Sequence, residues 1–130
     1  MLKLENIVAG YGHITALKDI SLEVPQGSIV SLIGANGAGK STTMKTIMGL
    51  VKPTSGKVLF EGQDITGHKT HQIVHGGISL VPEGRQILQD MSVYENLEMG
   101  AYIRNDNEIE EDIKKVFKRF PILDERSYQD

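Results

Sequence analysis

Gly34, Gly37, Gly39, Lys40 and Ser41 fall within an eight-residue run that reads G-x-x-x-x-G-K-S. That order suits one kind of chemistry. Glycines at these places let backbone N–H groups turn inward around a phosphate, the phosphate-loop arrangement. Lys40 offers a mobile point charge for the β- and γ-phosphates, and the Ser41 hydroxyl is a ligand for Mg²⁺. Asn36, Ala38 and Thr42 lie within or just after the run and complete the set expected to touch a nucleotide. A glycine-rich turn carrying a surface lysine needs no particular neighbours. A phosphate cradle needs a strand before it and a helix after it, so that the positive end of the helix faces the anion.

Both neighbours are legible. The stretch "SIVSLIG" is apolar on both faces near Ile33, the pattern of a central strand covered on both sides. From Lys40 to about Leu50, Met44, Ile47 and Met48 recur at helical spacing, and Gly49 and Pro53 end the run. Upstream, "MLKLENIVAGY" alternates Leu2 and Leu4 and then shows Ile7 and Val8, while "ALKDISLEV" gives a second strand before a Pro25-Gln26-Gly27 turn. Downstream come a Ser55-Gly56 turn, a short strand Val58–Phe60 and a turn at Gly62. A short helix follows, closed by Gly76-Gly77, and "ISLVP" reads as a further strand ended by Pro82. Beyond it the character becomes helical. Ser92 and Glu95 form a capping box opening a helix from Val93 to about Ile103. Ile109, Ile113, Val116, Phe117 and Phe120 make an apolar stripe on another. The fold class is α/β, with residues 1–84 as core and residues 85–130 beginning a helical part.

Composition narrows the function. With 130 residues there is apolar content for one small core, and a net charge of −3 lacks the basic stripe of a nucleic-acid groove. The chain has no cysteine, so it carries no disulfide framework and no thiolate metal site, which suits a reducing compartment. Lys3 and Glu5 interrupt the start, which therefore does not read as a signal peptide. Nothing approaches the roughly 18 consecutive apolar residues of a membrane span, so any membrane role is expected to be peripheral.

The surroundings of the loop resemble the ATP-binding subunits of ABC transporters, from about residue 2 onward, and are similar to those of branched-chain amino-acid importers. The resemblance is carried by "AGYGH", the phosphate loop, "SGKVLFEGQDITG", "LVPEGRQIL" and "MSVYENLEMGA". It implies an ABC ATPase core with an antiparallel β part and the start of a helical subdomain. It places Tyr11 as the aromatic that stacks on adenine, an interaction any base permits. It places Glu83, in Pro82-Glu83-Gly84-Arg85, where many relatives have glutamine, near Mg²⁺ and the attacking water. Lys40 and Glu83 would then be the catalytic residues, and Ser41 and Glu83 would meet the metal through the nucleotide. Arg85, Gln86, Tyr94 and Glu95 fall in the segment that docks on the membrane-spanning subunit. The implied ligands are ATP and Mg²⁺. The implied partners are a second ATP-binding subunit, membrane-spanning permease subunits and, indirectly, a periplasmic or extracellular solute-binding protein. The implied place is the cytoplasmic face of the membrane.

Three patterns imitate other functions. Asp64-Ile65-Thr66-Gly67 matches a GTPase D-x-x-G, but no guanine-reading N/T-K-x-D accompanies it. His68, His71 and His75 are spaced for one helical face, without the acid of H-E-x-x-H. "FPILDE", Phe120 to Glu125, imitates an apolar strand ending in Asp-Glu. Pro121 removes a ladder donor and only Ile122 and Leu123 precede the acid, so the segment is expected to be a helix end. The family's signature loop, Mg²⁺-holding Asp, catalytic Glu and switch His do not occur. The expectation is therefore the first half of an ATPase subunit, without hydrolysis by residues 1–130 alone. Uncovered apolar surface is expected at Ile29–Ile33, in a marginal, associated or domain-swapped chain. The competing expectations are a stand-alone nucleotide-binding module without catalysis and an ABC ATPase for a different solute.

Overall fold

A computed structural model describes residues 1–35, 37 and 39–129, which fall into two compact units, Met1–Leu80 and Val81–Asp130. The first unit is built on strands β1 (Leu2–Tyr11), β2 (Ile14–Val24), β3 (Ser55–Phe60) and β4 (Gln63–Asp64). They form an antiparallel sheet in the order β2-β1-β3-β4. Helix α1 (Lys40–Ile47) follows the loop, and α2 (Thr70–His75) follows β4.

The uneven apolar pattern of β1 has a structural cause. Leu4 is buried at an even position, and Ile7 and Ala9 at odd ones. A strand can change the parity of its inward face only through a bulge. Here Asn6 adopts a positive φ of 49°, and the register shifts between Leu4 and Ile7 against β2 and between Glu5 and Val8 against β3. The Asn6 N–H donates to Ser21 Oγ at 2.9 Å, and its side-chain amide donates to Asp19 Oδ1 at 2.8 Å. The bulge is thus tied to β2. It also explains Gly56, which lies inside β3 and not in a turn as expected: a Cβ there would fall on the backbone oxygens of Glu5 and Asn6.

The core of this unit gathers Leu4, Ile7 and Ala9 of β1, Leu17 of β2 and Val58 of β3 with Ile47, Met48, Val51, Ile65 and Ile73. Of the apolar residues expected on the inner face of α1, Ile47 and Met48 are buried but Met44 is exposed. Gly49 follows the helix end, where its N–H donates to the Thr46 carbonyl at 3.2 Å.

Two expected strands do not form. Residues 28–35 follow the Pro25–Ser28 turn as irregular chain, with Ile29 98 % and Ile33 92 % exposed. Residues 78–82 are irregular too, and only Ile78 packs against the core. An all-apolar strand is stable when ladders flank it and helices cover it. Among the described residues no strand pairs with either segment. The uncovered apolar surface expected at Ile29–Ile33 is present, as irregular chain and not as the edge of a strand.

In the second unit α3 (Val93–Gly100), α4 (Ile109–Arg119) and α5 (Pro121–Glu125) carry the fold. The expected capping box is formed: Ser92 Oγ accepts from the Glu95 N–H at 3.2 Å, and the Ser92 N–H donates to Glu95 Oε2 at 2.9 Å. Asn96 secures the preceding loop, accepting from the Leu88 N–H at 2.8 Å and donating back to the Leu88 carbonyl at 3.0 Å. The stripe on α4 buries Ile113 and half-buries Ile109, Val116 and Phe117, but Phe120 is exposed. "FPILDE" is helical, with Pro121 at its first position, as its chemistry requires.

Candidate functional site

Gly39 is the hinge between loop and helix. It has a φ of 99° and caps α1 without a side chain, so the first N–H groups of the helix keep no side-chain acceptor from their own cap. The first turn of α1 contains no acidic residue. An anion is therefore the natural partner of this end. Gly37 has a φ of 86° and nothing within 4 Å of where a Cβ would sit, so the space on that side of Gly37 is open. The Lys40 ammonium donates to the Gly34 carbonyl and so spans the loop. Ser41 is exposed beside it. Thr42 is buried, as is Thr43, whose hydroxyl donates to the Gly39 carbonyl at 2.8 Å. Asn36 and Ala38 lie outside the described residues.

The antiparallel sheet supports the loop from below. A Cβ on Gly39 would come within 2.7 Å of Leu17 Cδ2 and 3.2 Å of the Ala16 carbonyl oxygen. Ala16 and Leu17 belong to β2, and across the ladder Leu17 faces Ala9, Thr15 faces Gly10 and Ile14 faces Tyr11. The same end of the β1–β2 hairpin thus meets the loop and carries Tyr11. Tyr11 as a whole residue is 47 % exposed. Lys45, in the last turn of α1, places its ammonium 5.9 Å from the centre of that ring. Tyr11, Gly34, Gly37, Gly39, Lys40, Ser41 and Thr42 therefore all belong to one region of the first unit. Lys45 escaped the sequence reading. Its signal was a lone cation five residues after Lys40, which by itself says only that a helix ends there.

Glu83 belongs to the second unit, where it is exposed in a turn with Gly84. Gly84, Arg85 and Gln86 all have positive φ, at 79°, 66° and 43°, and the Gln86 N–H donates to the Gly84 carbonyl at 2.7 Å. Left-handed backbone at two residues with side chains is uncommon and stores strain. Tyr94 packs against Tyr128, with ring centres 6.1 Å apart, and against Phe117 at 6.3 Å. Partial burial, followed by the nearby charges of Glu110 and Glu98, raises the Tyr94 phenol above its ordinary range. The carboxylate of Glu95 is engaged by the cap of its own helix.

Outside the loop the imitating motifs resolve locally. Asp64 accepts from the Thr66 N–H at 2.9 Å and from its hydroxyl, which holds its carboxyl below the usual range and closes a turn after β4. His68 precedes α2, so the three histidines do not share one helical face. Among the described residues no three His, Cys, Asp or Glu side chains group as metal ligands, and no helix is long and apolar enough to cross a membrane.

Comparison with known proteins identifies what this chain is similar to. The profile of the ABC transporter family matches residues 17–129. The high-affinity branched-chain amino acid transport ATP-binding protein BraG of Pseudomonas aeruginosa is 41 % identical over 129 residues, covering 99 % of this chain and 55 % of its own length. The lipopolysaccharide export system ATP-binding protein LptB of Haemophilus influenzae is 38 % identical over 106 residues, covering 82 % of this chain and 44 % of its own. The crystal structure of the ADP conformation of an ATP-binding cassette of an ABC transporter superposes with a TM-score of 0.82 at 32 % identity, over 98 % of this chain and 56 % of the other. The chain thus spans about half the length of the relatives it matches. It belongs to the ABC transporter family.

Proposed function

We propose that the chain is the nucleotide-binding part of the ATP-binding subunit of an ABC importer, and that the full-length, dimeric parent hydrolyses ATP to drive transport. The observation that carries this reading is the loop from Gly34 to Ser41. It leads into a helix end without a side-chain cap or a first-turn acid, with Lys40 reaching across it. In this reading the loop N–H groups and Lys40 hold the β- and γ-phosphates, Ser41 offers its hydroxyl to Mg²⁺, and Thr42 follows on the helix. Asn36 and Ala38 belong to the same loop. Tyr11 stacks on the base, and Glu83 is the residue assigned to the metal and the attacking water. Magnesium, when bound, would neutralise phosphate charge, and these residues fit it as oxygen donors. The partners would be a second ATP-binding subunit and permease subunits, with Arg85, Gln86, Tyr94 and Glu95 on the docking side at the cytoplasmic face of the membrane.

Branched-chain amino acids are the favoured cargo because BraG is similar over nearly all of the chain and because two further relatives that are 33 % and 40 % identical are probable branched-chain amino acid transport ATP-binding proteins. The test is calorimetric titration of the chain with Mg·ATP, beside Lys40→Ala. Loss of a charge-assisted contact of about 1.5–3 kcal/mol should weaken binding by about 10- to 100-fold. Neither protein should turn ATP over above background. Failure of the wild-type chain to bind would refute the reading, and steady turnover lost in Lys40→Ala would refute the absence of hydrolysis.

A further inference from the structure

We infer that Lys45 is a positioning residue for the nucleotide base, acting through the ring of Tyr11; this rests on the nucleotide reading of the same site. The ammonium stands 5.9 Å from the centre of the ring, inside the range at which a cation is held by an aromatic face. Tyr11 ends β1, and nearly half of its surface is exposed. An exposed tyrosine would otherwise sample several rotamers, and a ligand stacking on it would have to select one. The cation limits that choice before any ligand arrives, which reduces the ordering cost of binding.

A second effect points the same way. A cation on one face draws π density toward itself and leaves the other face less negative. That face then repels less strongly the π cloud of an electron-rich ring stacked on it, and adenine is such a ring. The arrangement therefore favours a purine on the side of Tyr11 away from Lys45. The position of Lys45 in the last turn of α1 links this pair to the phosphate loop through one rigid helix. Phosphate grip at one end of α1 and base orientation at the other are set by the same element.

A lysine in the last turn of a helix also complements the helix dipole, and that role alone would touch stability and not base recognition. The two roles separate when ATP is compared with inorganic tripolyphosphate, which has the phosphates and no base. Affinities of both are measured by calorimetry for the wild-type chain, Lys45→Met, Lys45→Arg, Tyr11→Leu and the double variant Lys45→Met/Tyr11→Leu. Lys45→Met should weaken ATP by about two- to fivefold, the value of one exposed cation–ring contact, and leave tripolyphosphate unchanged. Lys45→Arg should restore ATP affinity. In the Tyr11→Leu background the methionine should have no further effect. Equal weakening of both ligands would mean that Lys45 acts on the phosphates and would overturn the inference, as would an unchanged ATP affinity. A wild-type chain that binds neither ligand would refute the nucleotide reading itself, and the inference with it.

Discussion

Replacing Gly39 and Gly37 separately by alanine tests how the phosphate loop is held. Each glycine has a positive φ, 99° and 86°, so each alanine pays the left-handed penalty of about 1–2 kcal/mol. Only one of them meets an obstacle. The new methyl at residue 39 would sit 2.7 Å from Leu17 Cδ2 and 3.2 Å from the Ala16 carbonyl oxygen, whereas the one at residue 37 has nothing within 4 Å. Leu17 is 2 % exposed and belongs to the core, so moving its methyl group disturbs core packing. Overpacking of this kind costs about 1–3 kcal/mol. Gly39→Ala should therefore destabilise the first unit by about 2–5 kcal/mol, and Gly37→Ala by about 1–2. Urea unfolding followed by circular dichroism reads the difference. With a slope of about 1–3 kcal/mol/M, the two midpoints should differ by about 1 M. Equal midpoints for the two variants would refute the claim that β2 fixes the loop through Leu17.

In the second unit, Ser92→Ala removes the acceptor for the Glu95 N–H and leaves the Glu95 carboxylate as half of a capping box, so α3 should lose about 1 kcal/mol, read as a lower melting temperature. Ser92→Thr should retain most of it. Asp106 accepts two hydrogen bonds from the Arg104 guanidinium, at 2.9 and 2.8 Å, and one from the Glu108 N–H at 2.8 Å. These contacts, the Arg104 bonds foremost, hold its carboxyl below the ordinary value of about 3.9. A carboxyl depressed by folding stabilises the fold above the ordinary value and stops doing so as the pH falls through the depressed one. Stability should therefore decline with acid below about pH 4. Asp106→Asn should flatten that decline, and an unaltered slope of urea midpoint against pH would show that the Arg104 contacts do not persist in solution.

The parts of this molecule that were legible in the sequence are those written within a few residues. The phosphate loop is one, because glycine, lysine and serine at fixed offsets name both a backbone shape and a charge. The Ser92–Glu95 box is another, since its two hydrogen bonds span three residues. Pro121 excluded a strand on covalent grounds alone, and α5 begins at that proline. What stayed hidden depends on distant chain. Gly56 reads as a turn until the bulge at Asn6 is seen to pass beneath it. Lys45 reads as a helix-end charge until Tyr11, 34 residues away in sequence, is found under it.

The segments Ile29–Ile33 and 78–82 carry the argument furthest. Their composition is that of buried strands, yet both are irregular in a chain whose hairpin and first helix are otherwise in place. A strand is a property of a ladder, and side-chain preference cannot substitute for partners. The phosphate loop shows the complementary case. Its entry, after Ile33, has no ladder, but its exit is secured by Gly39 against Ala16 and Leu17 and by the first turn of α1. The groups proposed to meet an anion lie at that exit: the first N–H groups of α1, Lys40 and Ser41. The antiparallel hairpin, and not the irregular segment that feeds the loop, holds the proposed phosphate-facing end of this site in its shape.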